Sequence, residues 1–167
     1  HTLRSEHIPW NIFYPMSMTD ESKEHAKMIF NEIIRKASAS KPLIDKITNI
    51  KIEYAPTDRD NYLGDGTSFD TYIEYIAEDG EMGGIGIEVK YTEEGYRPGE
   101  KEKKESILEH KKHLYWKVMK ESNYFTPEAD NGNDGADWSP LVKNDLRQMW
   151  RNHLLGASMV QKGDITH

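Results

Sequence analysis

One stretch constrains the architecture more than any other: Thr67 to Glu93, TSFDTYIEYIAEDGEMGGIGIEVKYTE. Ser68 to Ile76 and Ile85 to Thr92 are rich in β-branched and aromatic residues and alternate in polarity, the pattern of half-buried strands. Glu78-Asp79-Gly80 between them is a turn signal, so the stretch reads as a β-hairpin. Its loop length decides the chemistry. Side chains alternate faces along a strand, and a one-residue slip inverts them. A two-residue turn would send Asp70 away from Glu88. A three-residue loop, a type I turn closed by a left-handed Gly80 in a G1 bulge, pairs Ala77 with Glu81 and therefore Asp70 with Glu88. The three-residue loop is the expectation.

In that register Asp70, Tyr72, Glu74, Glu88 and Lys90 share one face, while Phe69, Ile73, Tyr75, Ile85, Ile87, Val89 and Tyr91 form a core face. Two carboxylates directly opposite each other repel unless something positive sits between them. A divalent cation with oxygen ligands answers that need, Lys90 is a second positive charge at hand, and Glu74 is an additional candidate ligand. Gly83, Gly84 and Gly86 weaken the strand and are expected to leave open the surface beside the acids. The competing reading is an exposed charged sheet face. The string acid-x-Lys carries little information alone, because the chain has four, at Glu21-Lys23, Glu88-Lys90, Glu102-Lys104 and Glu109-Lys111. Three lie in charged, helix-like sequence; only Glu88-Val89-Lys90 ends an apolar strand with an acid on its neighbour.

Asp70, followed by a hairpin into Glu88-Val89-Lys90, resembles the PD-(D/E)XK, or restriction endonuclease-like, nuclease superfamily. GIGIEVKYTE and the early SEHIPWNIFYPM are similar to a bacterial branch of restriction-endonuclease-like proteins. Phe69 stands where the superfamily's name places proline. The resemblance implies an α/β (α+β) fold with a restriction endonuclease-like core, a mixed sheet whose antiparallel three-strand meander is flanked by helices. It implies catalysis by Asp70, Glu88 and Lys90, with Mg²⁺ or Mn²⁺ held by Asp70, Glu88 and the backbone carbonyl of Val89. It further implies auxiliary roles for Glu32 on the first helix and for Gln148 and Arg151 on the last, and nucleic acid, DNA first, as partner.

At 167 residues the chain is expected to form one nuclease-like domain. It has no cysteine, which excludes disulfides and thiolate zinc sites, and no apolar run of membrane-spanning length or signal-peptide pattern, so a cytoplasmic location is the default. A net charge of −7 sits awkwardly with binding a polyanion. Its distribution softens the objection: residues 61–100 hold ten acidic and two basic side chains, a balance of −8, which leaves the remainder near neutral. The acid excess therefore lies where metal ligands would sit, and a bound cation would invert the local field.

His1 to Met16 shows no periodic signal. Thr19 is a good N-cap, with Asp20, Glu21 and Glu24 favoured by the helix dipole, and Ala26, Ile29, Phe30, Ile33, Ile34 and Ala37 predict an amphipathic helix over 20–37. Glu32 beside that stripe is otherwise an ordinary solvated side chain. Ile47 to Tyr54 reads as a strand with Ile50 and Ile52 on one face and Lys51 and Glu53 on the other, and Ala55 to Gly66 as a loop. Residues 100–123 predict a charged helix burying Ile107, Leu108, Leu114, Tyr115, Val118 and Met119, with Lys103, Lys104, Lys111, Lys112, Lys117 and Lys120 as solvated surface or phosphate contacts. His110 and His113 lie one turn apart, but no third zinc ligand is evident. Residues 126–140 read as an acidic connector whose Asp130, Asn131, Asn133, Asp134 and Asp137 do not fit EF-hand spacing. Ser139-Pro140 predicts the start of a last helix that buries Leu141, Leu146, Met149, Trp150, Leu154 and Leu155 and ends near Gly156 or soon after. There Gln148 and Arg151 are candidates for phosphate contact or for structural hydrogen bonds. The superfamily core continues into a further strand, and few residues remain for one. Either the final strand is missing, leaving an open sheet edge that invites pairing with a second copy of the chain, or the architecture differs.

These readings converge on an Mg²⁺-dependent phosphodiester hydrolase. The alternatives are a catalytically silent nucleic-acid or protein-binding module on the same fold, and a calcium-binding interaction protein using the 126–140 connector.

Overall fold

The structure is a computed structural model and describes residues 7–38, 40–90, 114–124 and 144–167. These group into two compact units. The first comprises His1–Tyr54, Ser68–Tyr91 and Gly163–His167, the second Ala55–Thr67 and Thr92–Lys162.

The first unit begins with α1, His7–Met16, a helix absent from the sequence reading. Its apolar residues run around the whole cylinder: Phe13 and Met16 pack on the core while Trp10, Ile12 and Tyr14 are exposed, so no amphipathic period exists to be seen. Helix α2, Asp20–Ala37, has the predicted bounds. Thr19 caps it with a reciprocal box, its Oγ1 accepting from Ser22 N–H and its own N–H donating to Ser22 Oγ, both at 3.0 Å. The buried stripe differs from the expected one. Ala26, Phe30 and Ile34 reach the core, but Ile29 and Ile33 are about half exposed, at 49% and 53%, and Asn31 is buried instead. Asn31 reaches β1: its Oδ1 accepts from the Ile44 N–H at 2.7 Å and its Nδ2 donates to the Ile44 carbonyl at 3.0 Å.

Strands β1 (Ile44–Tyr54), β2 (Phe69–Ala77) and β3 (Met82–Ile87) form an antiparallel meander in the order β1-β2-β3. Helices and an antiparallel sheet make the α+β arrangement expected of the PD-(D/E)XK fold. The hairpin register pairs Thr71 with Ile87, Ile73 with Ile85 and Ile76 with Met82. The loop closes as predicted, with Gly80 N–H donating to the Ala77 carbonyl, Ala77 N–H donating to the Glu81 carbonyl, and Gly80 at φ +84°. Ile44, Ile47 and Ile50 of β1, Ile73, Tyr75 and Ala77 of β2, and Ala26 and Phe30 of α2 form one core, with Ile85 and Ile87 at its border. The edge of β3 is not open as expected but is bonded by the C-terminal residues: Thr166 N–H donates to the Met82 carbonyl and Gly84 N–H donates to the His167 carbonyl, each at 2.8 Å.

In the second unit, α3 (Leu114–Ser122) and α4 (Asn144–Lys162) pack around Trp116 and Trp150, whose ring centroids are 5.2 Å apart, with Tyr115 edge-on to Trp150. Only the last part of the helix expected over 100–123 falls on described residues. Likewise the expected Ser139 cap, His110, His113 and the acidic connector lie outside them. Helix α4 runs past Gly156 to Lys162 and stops where Gly163 takes φ +78°. Glycine within a helix is only a weak breaker, whereas a left-handed glycine after the last turn ends one.

Candidate active site

The geometry starts from Asp70, the second residue of β2. Antiparallel pairing across the hairpin sets it opposite Glu88, one step beyond the last ladder pair, Thr71 with Ile87. The ladder ends there, and the next backbone donor is taken by a side chain: Val89 N–H donates to Asp70 Oδ2 at 2.7 Å. The carboxylate of β2 is thus fastened to the tripeptide Glu88-Val89-Lys90. Lys90 Nζ lies 2.8 Å from Glu88 Oε1, with the Glu88 side chain 17% exposed and that of Lys90 48%. Asp70, Glu88, Val89 and Lys90 are therefore brought together at one end of the hairpin.

Electrostatics at this point are those of crowded acids. Burial pushes the Asp70 carboxyl above the usual carboxylate range, the Val89 N–H works against that shift, Glu88 adds to it, Lys90 opposes it and Glu53 adds again. A half-buried aspartate whose neighbours are mostly negative favours a cation beside it, and oxygen donors are the ligands that Mg²⁺ or Mn²⁺ accepts. Among the described residues no three His, Cys, Asp or Glu side chains converge on one point. Two carboxylates and backbone would make a donor set that fits an ion that keeps several of its waters.

The rest of this sheet face differs from the sequence reading. The space at the glycines is filled, not open: a Cβ on Gly84 would fall 2.2 Å from the Tyr72 hydroxyl, and one on Gly86 2.4 Å from the Phe69 ring. Phe69, expected on the core face, stacks on Tyr72 at 5.6 Å, and Tyr54 also stacks on Tyr72, at 4.5 Å. A glycine opposite an aromatic ring gives that ring a place to lie flat on the sheet, and the sequence pattern of Gly83, Gly84 and Gly86 records this cross-strand packing. Tyr72 is 1% exposed, and its hydroxyl has no hydrogen-bond partner among the described residues.

The auxiliary candidates are placed as follows. Glu74 lies two residues along from Tyr72, but Lys51 Nζ engages its Oε1 at 2.5 Å. Glu32, on the solvent side of α2, pairs with Arg35 at 3.2 Å. Gln148 and Arg151 are on α4 in the second unit. Arg151 Nη2 donates to Asp65 Oδ2 at 3.2 Å and its Nε donates to Thr67 Oγ1 at 3.0 Å, while the Tyr115 hydroxyl donates to the same Asp65 oxygen. That network ties the 55–67 loop to α3 and α4, a structural use of the guanidinium. Glu53 was missed by sequence reasoning. The strand pairing that sets Ile52 against Thr71 and Tyr54 against Phe69 puts Glu53 level with Asp70, and finding it takes that β1–β2 register, which alternation along one strand does not supply.

No helix among the described residues is long and apolar enough to cross a membrane. No curated protein and no solved structure matches the chain. A family model described as PD-(D/E)XK nuclease superfamily matches residues 1–167. Its span takes in the meander, the Asp70 strand and Glu88-Val89-Lys90 together, and on that match the chain belongs to the PD-(D/E)XK nuclease superfamily.

Proposed function

We propose that the protein is a divalent-cation-dependent nuclease that hydrolyses phosphodiester bonds in DNA, with Asp70, Glu88 and Lys90 as its catalytic residues. The observation that carries this reading is the Val89 N–H to Asp70 bond at 2.7 Å, which fixes the β2 carboxylate against the Glu88-Val89-Lys90 segment. Asp70, Glu88 and the Val89 carbonyl would hold Mg²⁺ or Mn²⁺. When bound, such an ion polarises a phosphate and lowers the pKa of water to near neutrality.

The chain's own residues supply the rest. Asp70 is held in one orientation by a backbone donor, so its free oxygen is pre-aimed and loses little entropy on binding. Lys90 lies beside Glu88 and half in solvent, where its ammonium can orient a water or meet charge developing on a phosphoryl oxygen. Glu74 is engaged by Lys51, and its contribution is to keep that neighbouring lysine in place. The family match over the whole chain supports reading both units as one nuclease-like domain.

The test is cleavage of single- and double-stranded DNA and of RNA in 5 to 10 mM Mg²⁺ or Mn²⁺ (roughly the range in which weak carboxylate sites load), with EDTA controls. Metal-dependent cleavage that is lost in Asp70→Ala, Glu88→Ala and Lys90→Ala is the expected result. Full activity in EDTA, or in any of the three variants, overturns it. Absence of both cleavage and divalent-cation binding by calorimetry would instead mark a silent binding module on this fold.

A further inference from the structure

We infer that Glu53 is a positioning residue of the same centre: an outer carboxylate that raises the affinity for the divalent ion without ligating it. The inference rests on the nuclease reading of Asp70 and Glu88. Three neighbouring segments bring one acid each to the same level, Glu53 on β1, Asp70 on β2 and Glu88 just past the end of β3, because the β1–β2 pairing brackets Glu53 opposite Asp70 and the hairpin sets Glu88 on the other side. Asp70 feels both neighbours as negative charge. The three side chains do not converge as a closed cage, so Glu53 acts through the field and through water in the ion's outer shell, as partners outside the ligand set do.

A second feature concerns the backbone. Glu53 has φ +53°, a left-handed conformation that Gly and Asn adopt more easily than Glu. This conformation interrupts the alternation of β1 and brings Tyr54 onto the face of Lys51 and Tyr72, where it stacks on Tyr72 and lies 4.5 Å under the Lys51 ammonium. The turn of the backbone is therefore accounted for by the aromatic stack. The carboxylate is not: glycine or asparagine would make the same turn at lower cost, and the side chain present is an exposed glutamate level with Asp70 in the strand register. Retaining strain at such a place points to function.

The experiment separates the two roles. Mn²⁺ affinity of the whole chain is measured by electron paramagnetic resonance for the native protein, Glu53→Gln, Glu53→Asn and, as a charge control on the exposed hairpin turn, Glu78→Gln. Melting temperature is recorded for each without metal. Weakening of about three- to tenfold in both Glu53 variants, the size expected for one solvent-screened charge a few ångströms from a dication, with a melting temperature unchanged or raised in Glu53→Asn and unchanged affinity in Glu78→Gln, is the expected pattern. Affinity in Glu53→Asn equal to that of the native chain would show that only the backbone turn matters and overturn the inference, leaving the Asp70–Glu88 reading intact. A native chain that binds no Mn²⁺ overturns both.

Discussion

Val89 donates its backbone N–H to Asp70 Oδ2 at 2.7 Å, at the point where the β2–β3 ladder stops. One side chain thereby does the work of a ladder rung and holds a carboxyl group among other acids. Asp70→Asn keeps an acceptor for Val89 and removes the charge. Since burial and the neighbouring acids raise the Asp70 pKa in the folded chain, the folded state binds this proton more readily than the unfolded one, and stability associated with it is gained as pH falls and lost as pH rises through the folded pKa. Without divalent ions, Asp70→Asn is therefore expected to melt above the native chain at pH 7, with the two converging in acid. Added Mg²⁺ should raise the native melting temperature and leave the variant unmoved, as measured by thermal denaturation across pH with and without metal. A variant that melts lower at every pH would show that the hydrogen bond, not the charge, dominates.

The loop that sets the register is a second point of leverage. Gly80 has φ +84°, and a Cβ there meets nothing within 4 Å, so Gly80→Ala is resisted by backbone strain alone, at about 1–2 kcal/mol. Deleting Asp79 should do more: a two-residue loop inverts the faces of one strand relative to the other and separates Asp70 from Glu88. The expected outcome is near-native β content by circular dichroism with divalent-ion binding lost. Retained binding would mean that the register is set elsewhere.

How much of this was legible depended on whether a local rule acted alone. The Thr19 cap, the bounds of α2 and the Gly80 loop follow from residues within one turn of each other, and each stands as the sequence predicts. Helix α1 was hidden because HIPWNIFYPM is apolar on all sides and carries Pro9 and Pro15, two signals against a helix that packing overrides. Burial of Asn31 in place of Ile29 and Ile33 was hidden for a different reason, since what α2 meets is the edge of β1 and its unpaired Ile44 groups, a tertiary fact. The placing of Asp70 opposite Glu88 was legible from the hairpin alone. Glu53 required the β1–β2 register, which a loop from Ala55 to Ser68 does not specify, and the filling of Gly84 and Gly86 by Tyr72 and Phe69 required knowing which ring crosses which strand.

Asn31 gives the test of the helix-to-sheet joint. Both polar atoms of its amide are used on Ile44, with the side chain buried. Asn31→Leu supplies an apolar body of similar size and leaves a buried N–H and C=O without partners, a loss of about 2–4 kcal/mol when two such groups are stranded. Urea denaturation should show a lower midpoint with an unchanged slope; a change under about 0.5 kcal/mol would mean that water replaces the amide.

Tyr72 predicts the opposite sign. Its ring is held between Tyr54 and Phe69, while its buried hydroxyl has no partner among the described residues and presses on the place a Gly84 Cβ would occupy. Tyr72→Phe keeps the stack and removes an unsatisfied polar atom, so stability should hold or rise by up to about 1 kcal/mol, with cation affinity and cleavage unchanged. Gly84→Ala puts a methyl against that hydroxyl, and Gly86→Ala one against the Phe69 ring; each should cost about 1–3 kcal/mol, as overpacking does. The two sites are linked by the hydroxyl in only one case. In a Tyr72→Phe background the cost of Gly84→Ala should fall while that of Gly86→Ala stays the same, since the ring edge against Gly86 belongs to Phe69 and is untouched. Equal relief at both glycines, measured by chemical denaturation of the three single and two double variants, would show that the stack shifts as a whole and that the hydroxyl is not the point of contact.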